Sequence, residues 1–174
     1  ARYLYGAYTG YAMTVLNLPS GFLATLGVSI IPAISASVAT GNDSRVRRLT
    51  KNGLLLSAVC GISASAVIAV FGDFILNLLF HNTTSSLLLR ISASSVFFIC
   101  MMQLSGAILQ AMGYTGRVFI SSVTVGVIKL LSAIFLVSIP EINIYGAAIG
   151  SDIAFFVGMV INFIFLSGVG TCKT

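Results

Sequence analysis

Five long apolar runs, separated by short clusters of turn-forming residues, constrain the fold of this chain more than any other feature. Each run reaches about 20 residues, the length at which a helix crosses a hydrocarbon core of roughly 30 Å. Strands and ordinary core helices are shorter, so hydropathy rather than amphipathic period defines the elements. The predicted spans cover residues about 11–40, 52–71, 87–112, 118–139 and 147–166.

The composition excludes a water-soluble fold. Of the 174 residues, 57% are hydrophobic and only 7% are charged, whereas soluble domains carry about a quarter charged residues. We therefore predict an all-α, polytopic membrane helix bundle in which residues 1–174 form a single transmembrane region. Because the chain starts at Ala1 without a signal-peptide pattern, we expect the natural protein to begin earlier.

Short breaker clusters between the runs favour antiparallel neighbouring helices. They are rich in Gly, Asn, Asp, Ser and Pro, the residues that form turns. The predicted separators are residues 41–44, Gly72-Asp73 together with 81–84, residues 113–116, and residues 140–143.

Basic residues are distributed unevenly about the predicted spans, and residues 41–51 form a predicted basic cytoplasmic loop. Positive residues beside membrane spans favour the cytoplasmic side. Two basic residues, Arg2 and Arg90, fall on one side of the spans, and six fall on the other: Arg45, Arg47, Arg48, Lys51, Arg117 and Lys173. We interpret the first four of these six as topology anchors, with a lipid headgroup or regulatory site as the alternative. The formal charge of +5 therefore indicates membrane orientation rather than a nucleic-acid partner.

Pro19 and Pro32 interrupt the backbone hydrogen-bond pattern of the first span. We expect this span to be bent, tilted or interrupted. Broken helices line pathways in some transporters, although prolines also occur in ordinary membrane helices. Asn17, in the same span, is included among the candidate substrate-path residues.

Two further spans carry polar or small stripes. In the third span, six residues share an arc of roughly 80°, which predicts interhelical hydrogen bonding or the lining of a cavity: Ser92, Ser95, Gln103, Gly106, Gln110 and Gly113. Gln103 and Gln110 are candidate substrate-path residues, because a lipid-facing amide would stay unpaired. In the fifth span, five small residues repeat every four positions and predict close helix packing: Gly146, Gly150, Ala154, Gly158 and Asn162.

Lys129 is the most distinctive polar residue, because about a dozen apolar or small residues flank it on each side. It is predicted to lie near the middle of the bilayer, where a cation requires a partner or a cavity. A water-filled passage, an anionic substrate group or a carboxylate such as Asp152 would meet that requirement. Asp152 lies little more than one turn inside the outer end of its span, so interfacial water is its alternative partner.

No catalytic or cofactor-binding pattern accompanies these residues. His81 is the only histidine, and the cysteines Cys60, Cys100 and Cys172 form no CxxC pair, so we predict neither a metal site nor a disulfide framework. The acids are widely separated and no phosphate-binding GxxxxGK[ST] loop is present. The chain is therefore predicted not to be an enzyme and to need no cofactor, and any transport would be secondary or facilitated.

Several local sequences resemble a known family in their order along the chain. They are Tyr5-Gly6-Ala7-Tyr8, Leu18-Pro19, Ile31-Pro32-Ala33-Ile34-Ser35, Gly41-Asn42-Asp43 with the basic run, Ile108 to Gly113, Lys129-Leu130, and Gly146 to Gly150. Together they are similar to the polysaccharide-biosynthesis flippases of the stage V sporulation protein B branch. That branch is related to MurJ-type lipid II flippases within the multidrug/oligosaccharidyl-lipid/polysaccharide exporter superfamily.

The resemblance implies two six-helix lobes around a central cavity and alternating access in the cytoplasmic membrane of a bacterium. The chain would form most of the second lobe, as the eighth to twelfth helices, with the first lobe of the same protein as its partner. The implied substrate is an undecaprenyl-linked sugar precursor, and membrane lipids are further partners. Two alternatives stay open: a cation-coupled multidrug exporter of the same superfamily, in which Asp152 is the candidate coupling residue, and a non-transporting fragment.

Overall fold

The computed structural model describes residues 13–80, 92–137 and 143–171, and every regular element within these ranges is an α-helix. The five helices are α1 (Met13–Ala39), α2 (Asp43–Phe80), α3 (Ala93–Ala111), α4 (Thr115–Val137) and α5 (Asn143–Thr171). All five are long and apolar enough to cross a membrane. The predicted all-α, polytopic helix bundle is therefore confirmed.

Two tight turns of the same type connect α1 to α2 and α3 to α4. Gly41 and Gly113 adopt positive φ angles of 66° and 89°, which L-residues with a side chain rarely adopt. After each glycine the next N–H returns to the preceding helix: Asn42 donates to Ser37 at 3.0 Å and Tyr114 donates to Leu109 at 2.9 Å. These bonds satisfy carbonyl groups at the helix ends, so the chain reverses within three residues.

The basic run is helical, and the prediction of a loop over residues 41–51 is wrong. Asn42 caps α2, because its Oδ1 accepts a hydrogen bond from the backbone N–H of Arg45 at 3.0 Å. Such a cap satisfies one of the free N–H groups at the start of a helix. Arg45, Arg47, Arg48 and Lys51 consequently lie in the first three turns of α2.

The remaining boundaries differ from the predicted spans mainly because the helices extend beyond their apolar segments. The predicted separator Gly72-Asp73 lies inside α2, which runs for 38 residues. An interior glycine costs a helix only about 1 kcal/mol, and the apolar residues that follow continue the pattern. Helix α4 starts three residues before the predicted 118, and α5 extends beyond 147–166 at both ends. Predicted residues 11–12, 87–91 and 138–139 lie outside the described ranges, as does the separator at 81–84.

Helix α1 continues through both of its prolines. Of the predicted outcomes, the interrupted helix is therefore excluded. Serine hydroxyls bond to backbone carbonyls near each proline: Ser20 donates to Asn17 at 2.8 Å, and Ser37 donates to Ala33 at 2.8 Å. Such bonds help to compensate the backbone disturbance that proline introduces into a membrane helix.

Helix α3 is the centre of the bundle. In the 18-residue apolar stretch of α3 that could cross a membrane, 56% of the residues are buried, against at most 28% in the corresponding stretch of any other described helix. It packs against α1 and α2 on one side and against α5 on the other. Two serine hydroxyls from the surrounding helices donate to its backbone: Ser35 to Ala111 at 3.0 Å and Ser57 to Cys100 at 2.9 Å.

The small-residue stripe of α5 packs as predicted. Gly146, Gly150, Ala154, Gly158 and Asn162 are all buried. A Cβ atom on Gly150 would overlap the side chain of Ser132, and one on Gly158 would overlap Val125 and Met102. Close approach of α4 and α3 to α5 therefore depends on these glycines.

Candidate functional site

A groove of about 300 Å³ runs between α1, α3, α4 and α5. Its polar side chains are Gln103, Gln110, Ser122 and Asn162, and the rest of its lining is apolar or small. We name it the amide groove after its three carboxamide side chains. An apolar cleft with a few polar groups is typical of a small-molecule binding site.

Gln103 and Gln110 form the polar part of the groove floor on α3. They are seven residues apart, so they lie about 10 Å from each other along the same side of the helix. Both are exposed, and neither makes a hydrogen bond to a residue within the described ranges. The predicted polar face of α3 thus divides in two: Ser92 and Ser95 are buried among the helices, whereas Gly106 and the two glutamines line the groove.

Asn162 lies where α5 meets α3. Its Nδ2 donates to the carbonyl of Met102 at 3.1 Å and to Oγ of Ser105 at 3.2 Å, while its buried Oδ1 has no partner among the described residues. The sequence predicted Asn162 only as a packing residue. Asn162 carries an amide, whereas the other residues of this stripe are Gly or Ala. This difference was the sequence feature that could have indicated a role in the site.

Helix α1 forms the apolar wall of the groove. Gly27 approaches Ala107 closely, since a Cβ on this glycine would lie 3.2 Å from the Ala107 Cβ. Val28 lines the groove one residue later. Pro32 has no N–H, so the Val28 carbonyl lacks the hydrogen-bond donor that a helix normally supplies four residues later.

Lys129 lies on the same side of α4 as the groove residue Ser122. The two are seven residues apart, so Lys129 points within about 20° of Ser122 and lies about 10 Å farther along the helix. Its side chain is exposed, and its Nζ lies 5.2 Å from the centre of the Phe155 ring. The spanning part of α4 is Thr115–Phe135, which places Lys129 about 6 Å beyond the middle of the span rather than at its middle.

Asp152 is not the partner of Lys129. Its Oδ2 accepts a hydrogen bond from Oγ of Ser94 at 2.7 Å, and it lines no part of the amide groove. Among the described residues Lys129 has no carboxylate partner, and the Phe155 ring lies against its ammonium group.

Asn17 also lies outside the amide groove. It is exposed and precedes the groove residue Ala24 by seven residues, so it points in nearly the same direction about 10 Å farther along α1. The same spacing of seven residues, about 10 Å along the helix, separates Lys129 from the groove residue Ser122 in α4 and Phe155 from the groove residue Asn162 in α5. Of the five predicted path residues, the structure therefore places two in the groove, and helical geometry places Asn17 and Lys129 along its extension.

Charges separate between the two ends of the bundle. The turns at 40–42 and 112–114 and the end of α5 share one end, because successive helices are antiparallel. We call it the basic end, since it carries Arg45, Arg47, Arg48, Lys51 and Arg117, with Asp43 as the acid that the structure describes there. The guanidinium of Arg117 lies 4.6 Å from the centre of the Tyr114 ring.

The five helices define a class, a multi-pass helical membrane protein. Residues 6–87 match the family model "Lipid II flippase MurJ". The chain is also 26% identical over 157 residues to stage V sporulation protein B of Bacillus subtilis (strain 168), a match that covers 90% of the chain and 30% of that protein. Both comparisons make the chain similar to lipid II flippases of the MurJ type and to stage V sporulation protein B.

The matched regions show which part of the chain each similarity covers. The family model covers α1 and α2, whereas the glutamines of the amide groove follow its last matched residue. The chain spans about 30% of the length of the stage V sporulation protein B that it matches. No solved structure matches the chain.

Proposed function

We propose that this chain forms most of one lobe of a flippase that moves an undecaprenyl-linked, lipid II-like sugar precursor across the cytoplasmic membrane. The observation that carries the proposal is the pair of unbonded amides, Gln103 and Gln110, in a groove within a bundle of apolar helices. The matches to MurJ-type flippases and to stage V sporulation protein B support the same activity.

The groove supplies what a sugar headgroup needs when it leaves water. A hydroxyl group without a hydrogen-bond partner in an apolar medium costs several kcal/mol. Each glutamine amide offers two donor hydrogens and an acceptor oxygen, and the 10 Å between Gln103 and Gln110 allows two sugar units to be contacted in succession. The isoprenoid tail would stay in hydrocarbon beside the exposed apolar faces of the bundle.

Lys129 supplies the complementary charge for the pyrophosphate of such a precursor. Its ammonium lies against the face of Phe155, which holds a cation without neutralising it. Because Lys129 and Asn17 lie on the extension of the groove, the pyrophosphate would be contacted farther from the basic end than the sugar. The open side of the groove would face the first lobe of the same protein, the partner that the family architecture implies.

A cation-coupled multidrug exporter is the alternative within the same superfamily. Such an exporter would carry its coupling carboxylate in the transport path. Asp152 is the candidate for this coupling carboxylate among the described residues. It bonds to Ser94 and does not line the amide groove. The arrangement of amides with a lysine favours a neutral, hydroxyl-rich headgroup attached to an anionic phosphate.

The double variant Gln103→Leu/Gln110→Leu tests the proposed function. The protein that carries this chain would be expressed in bacteria depleted of their own lipid II flippase, and growth rescue and precursor flipping in vesicles would be measured. Since a hydrogen bond contributes about 1 kcal/mol, we expect flipping to fall about tenfold or more.

The matched control is Ser63→Ala, which removes a hydroxyl that bonds only within exposed α2, and it should rescue growth fully. Protein levels in the membrane would be compared by immunoblot. Unchanged flipping by the double variant at a normal protein level would refute the role of the amide groove.

A further inference from the structure

A second cavity, of about 710 Å³, opens at the basic end and shares no lining residue with the amide groove. One side is the first turns of α2, and the other is formed by the turn between α3 and α4 and by the end of α5. Seven residues of α2 line it, at positions 43, 44, 46, 47, 50, 51 and 54, and this spacing places them within an arc of roughly 160° on one side of the helix. We call it the basic-end pocket.

The lining of the basic-end pocket changes from charged to apolar along α2. Asp43, Arg47 and Lys51 occupy its outer part, and Leu54 lies one turn deeper. Leu54, Met112 and Leu166 form an apolar floor that packs against the buried cluster of Ile34, Leu104, Ile108 and Ala111. A cavity with a cationic mouth and an apolar floor fits a molecule with an anionic head and a hydrocarbon chain.

Two polar side chains that line the pocket have no hydrogen-bond partner among the described residues. The Thr50 Oγ1 atom is buried and has no hydrogen-bond partner among the described residues. The Lys51 side chain is exposed and makes no hydrogen bond or ion pair within the same ranges. A buried hydroxyl without a partner is costly, so a ligand oxygen that accepts its hydrogen would remove this cost. Asp43 and Arg47 already take part in protein interactions.

The charge of the lining limits the ligand. Arg47 and Lys51 contribute two positive charges and Asp43 one negative charge, which leaves a net +1. A phosphodiester headgroup carries a single negative charge and balances it, whereas a pyrophosphate would leave excess negative charge. Tyr114 lines the pocket beneath Arg117, and aromatic residues of this kind are typical of the level of lipid headgroups.

We propose that the basic-end pocket binds an anionic phospholipid of the surrounding membrane, such as phosphatidylglycerol. Lys51 contacts the phosphate, Arg47 adds a second positive charge at the mouth of the pocket, the Thr50 hydroxyl donates to a phosphate oxygen, and an acyl chain covers Leu54, Met112 and Leu166. This site is separate from the amide groove and does not depend on which precursor the protein moves. The cations of α2 thus divide into two sets, since Arg45 and Arg48 line a different cavity from Arg47 and Lys51.

The test measures how many phosphatidylglycerol molecules stay bound to the complete protein in native mass spectrometry, after purification from vesicles of phosphatidylglycerol and phosphatidylcholine. We expect Arg47→Gln/Lys51→Gln to lower retention of phosphatidylglycerol, by about fivefold for each cation removed. Thr50→Val, which keeps the size of the side chain, should lower it about threefold through the lost hydrogen bond. Phosphatidylcholine should not be retained.

The matched control is Arg45→Gln/Arg48→Gln, which removes the same charge from the same turns of α2 but outside the pocket. Its retention of phosphatidylglycerol should equal that of the unchanged protein. Equal losses in both double variants would show diffuse attraction to the membrane surface and overturn the pocket, as would no loss in either. Competition by millimolar inorganic phosphate or glycerol phosphate would show a site for free phosphate and overturn the lipid assignment.

Discussion

At the scale of single residues, side chains of the same type have different roles, depending on whether a neighbouring helix offers them a hydrogen-bond partner. Ser57 and Ser35 donate to carbonyls of α3 and hold the bundle together, whereas Thr50 keeps an unpaired hydroxyl in the basic-end pocket. Likewise the Nδ2 atom of Asn162 makes two hydrogen bonds to α3, while the side chains of Gln103 and Gln110 make none within the described ranges. Function is therefore expected where polar groups in apolar surroundings have not been paired by the fold.

Lys129 gives a prediction at this scale. Lys129→Ala should lower flipping of a pyrophosphate-linked precursor about tenfold, because a hydrogen bond to a charged group contributes about 1.5–3 kcal/mol. Lys129→Arg keeps the cation and its contact with Phe155, so it should retain most of the activity. Flipping would be measured in vesicles with equal amounts of each protein. Equal activity of Lys129→Ala and the unchanged protein would exclude Lys129 from the path.

At the scale of elements, the centre of the fold is α3, and glycines determine how closely the other helices approach it or one another. Gly27 and Gly61 bring α1 and α2 within 3.2–3.3 Å of side-chain atoms on α3, measured from the position of an added Cβ. Gly150 and Gly158 allow even closer contacts of α5 with α4 and α3. These contacts fix the position of α4 and α5 beside the amide groove.

A pair of glycine variants tests this arrangement. Gly150→Ala should destabilise the protein by about 1–3 kcal/mol, because the added methyl group forces α4 and α5 apart. Gly126→Ala is the matched control on the neighbouring helix: nothing lies within 4 Å of its added Cβ, and alanine favours helix formation. Thermal unfolding in detergent should show a lower midpoint for Gly150→Ala only. A similar midpoint for both variants would contradict close packing at Gly150.

At the scale of the whole molecule, the chain is a bundle with a basic end and an opposite half in which Asp152 lies. Helix α2 connects the two ends, since 38 residues extend about 57 Å, well beyond a hydrocarbon core of about 30 Å. The basic-end pocket and the amide groove use different faces of this bundle. The predicted orientation, with the basic end in the cytoplasm, follows from the distribution of Arg and Lys.

Cysteine labelling tests the orientation. Arg48→Cys and Asn77→Cys lie about 43 Å apart along α2, and each would be introduced singly into a variant without Cys60, Cys100 and Cys172. With a membrane-impermeant maleimide, intact cells should label Asn77→Cys, whereas Arg48→Cys should react only after permeabilisation. The reverse pattern would place the basic end outside and contradict the prediction.

The sequence by itself determined the fold class, the number of long helices and the positions of the tight turns. Long apolar runs have no stable arrangement other than helices in a bilayer, and glycine at 41 and 113 ends a helix wherever it supplies a positive φ. It also identified the packing stripe of α5, because small residues every four positions place one helix face against a neighbour. The start of α2 was not predicted, because the helix begins directly after the Asn42 cap and so includes the charged residues that follow it.

Only the tertiary structure decided which polar residues remain unpaired and which meet. Helical periodicity gives the direction of a side chain about its own axis, but it does not say what stands opposite. Ser95 and Gln103 share one predicted face, yet the first is buried and the second lines a groove. The same limit explains why Asp152, one of three partners that the sequence suggested for Lys129, bonds to Ser94 instead. It also explains why the basic-end pocket was not predicted, since its walls come from three segments distant in sequence.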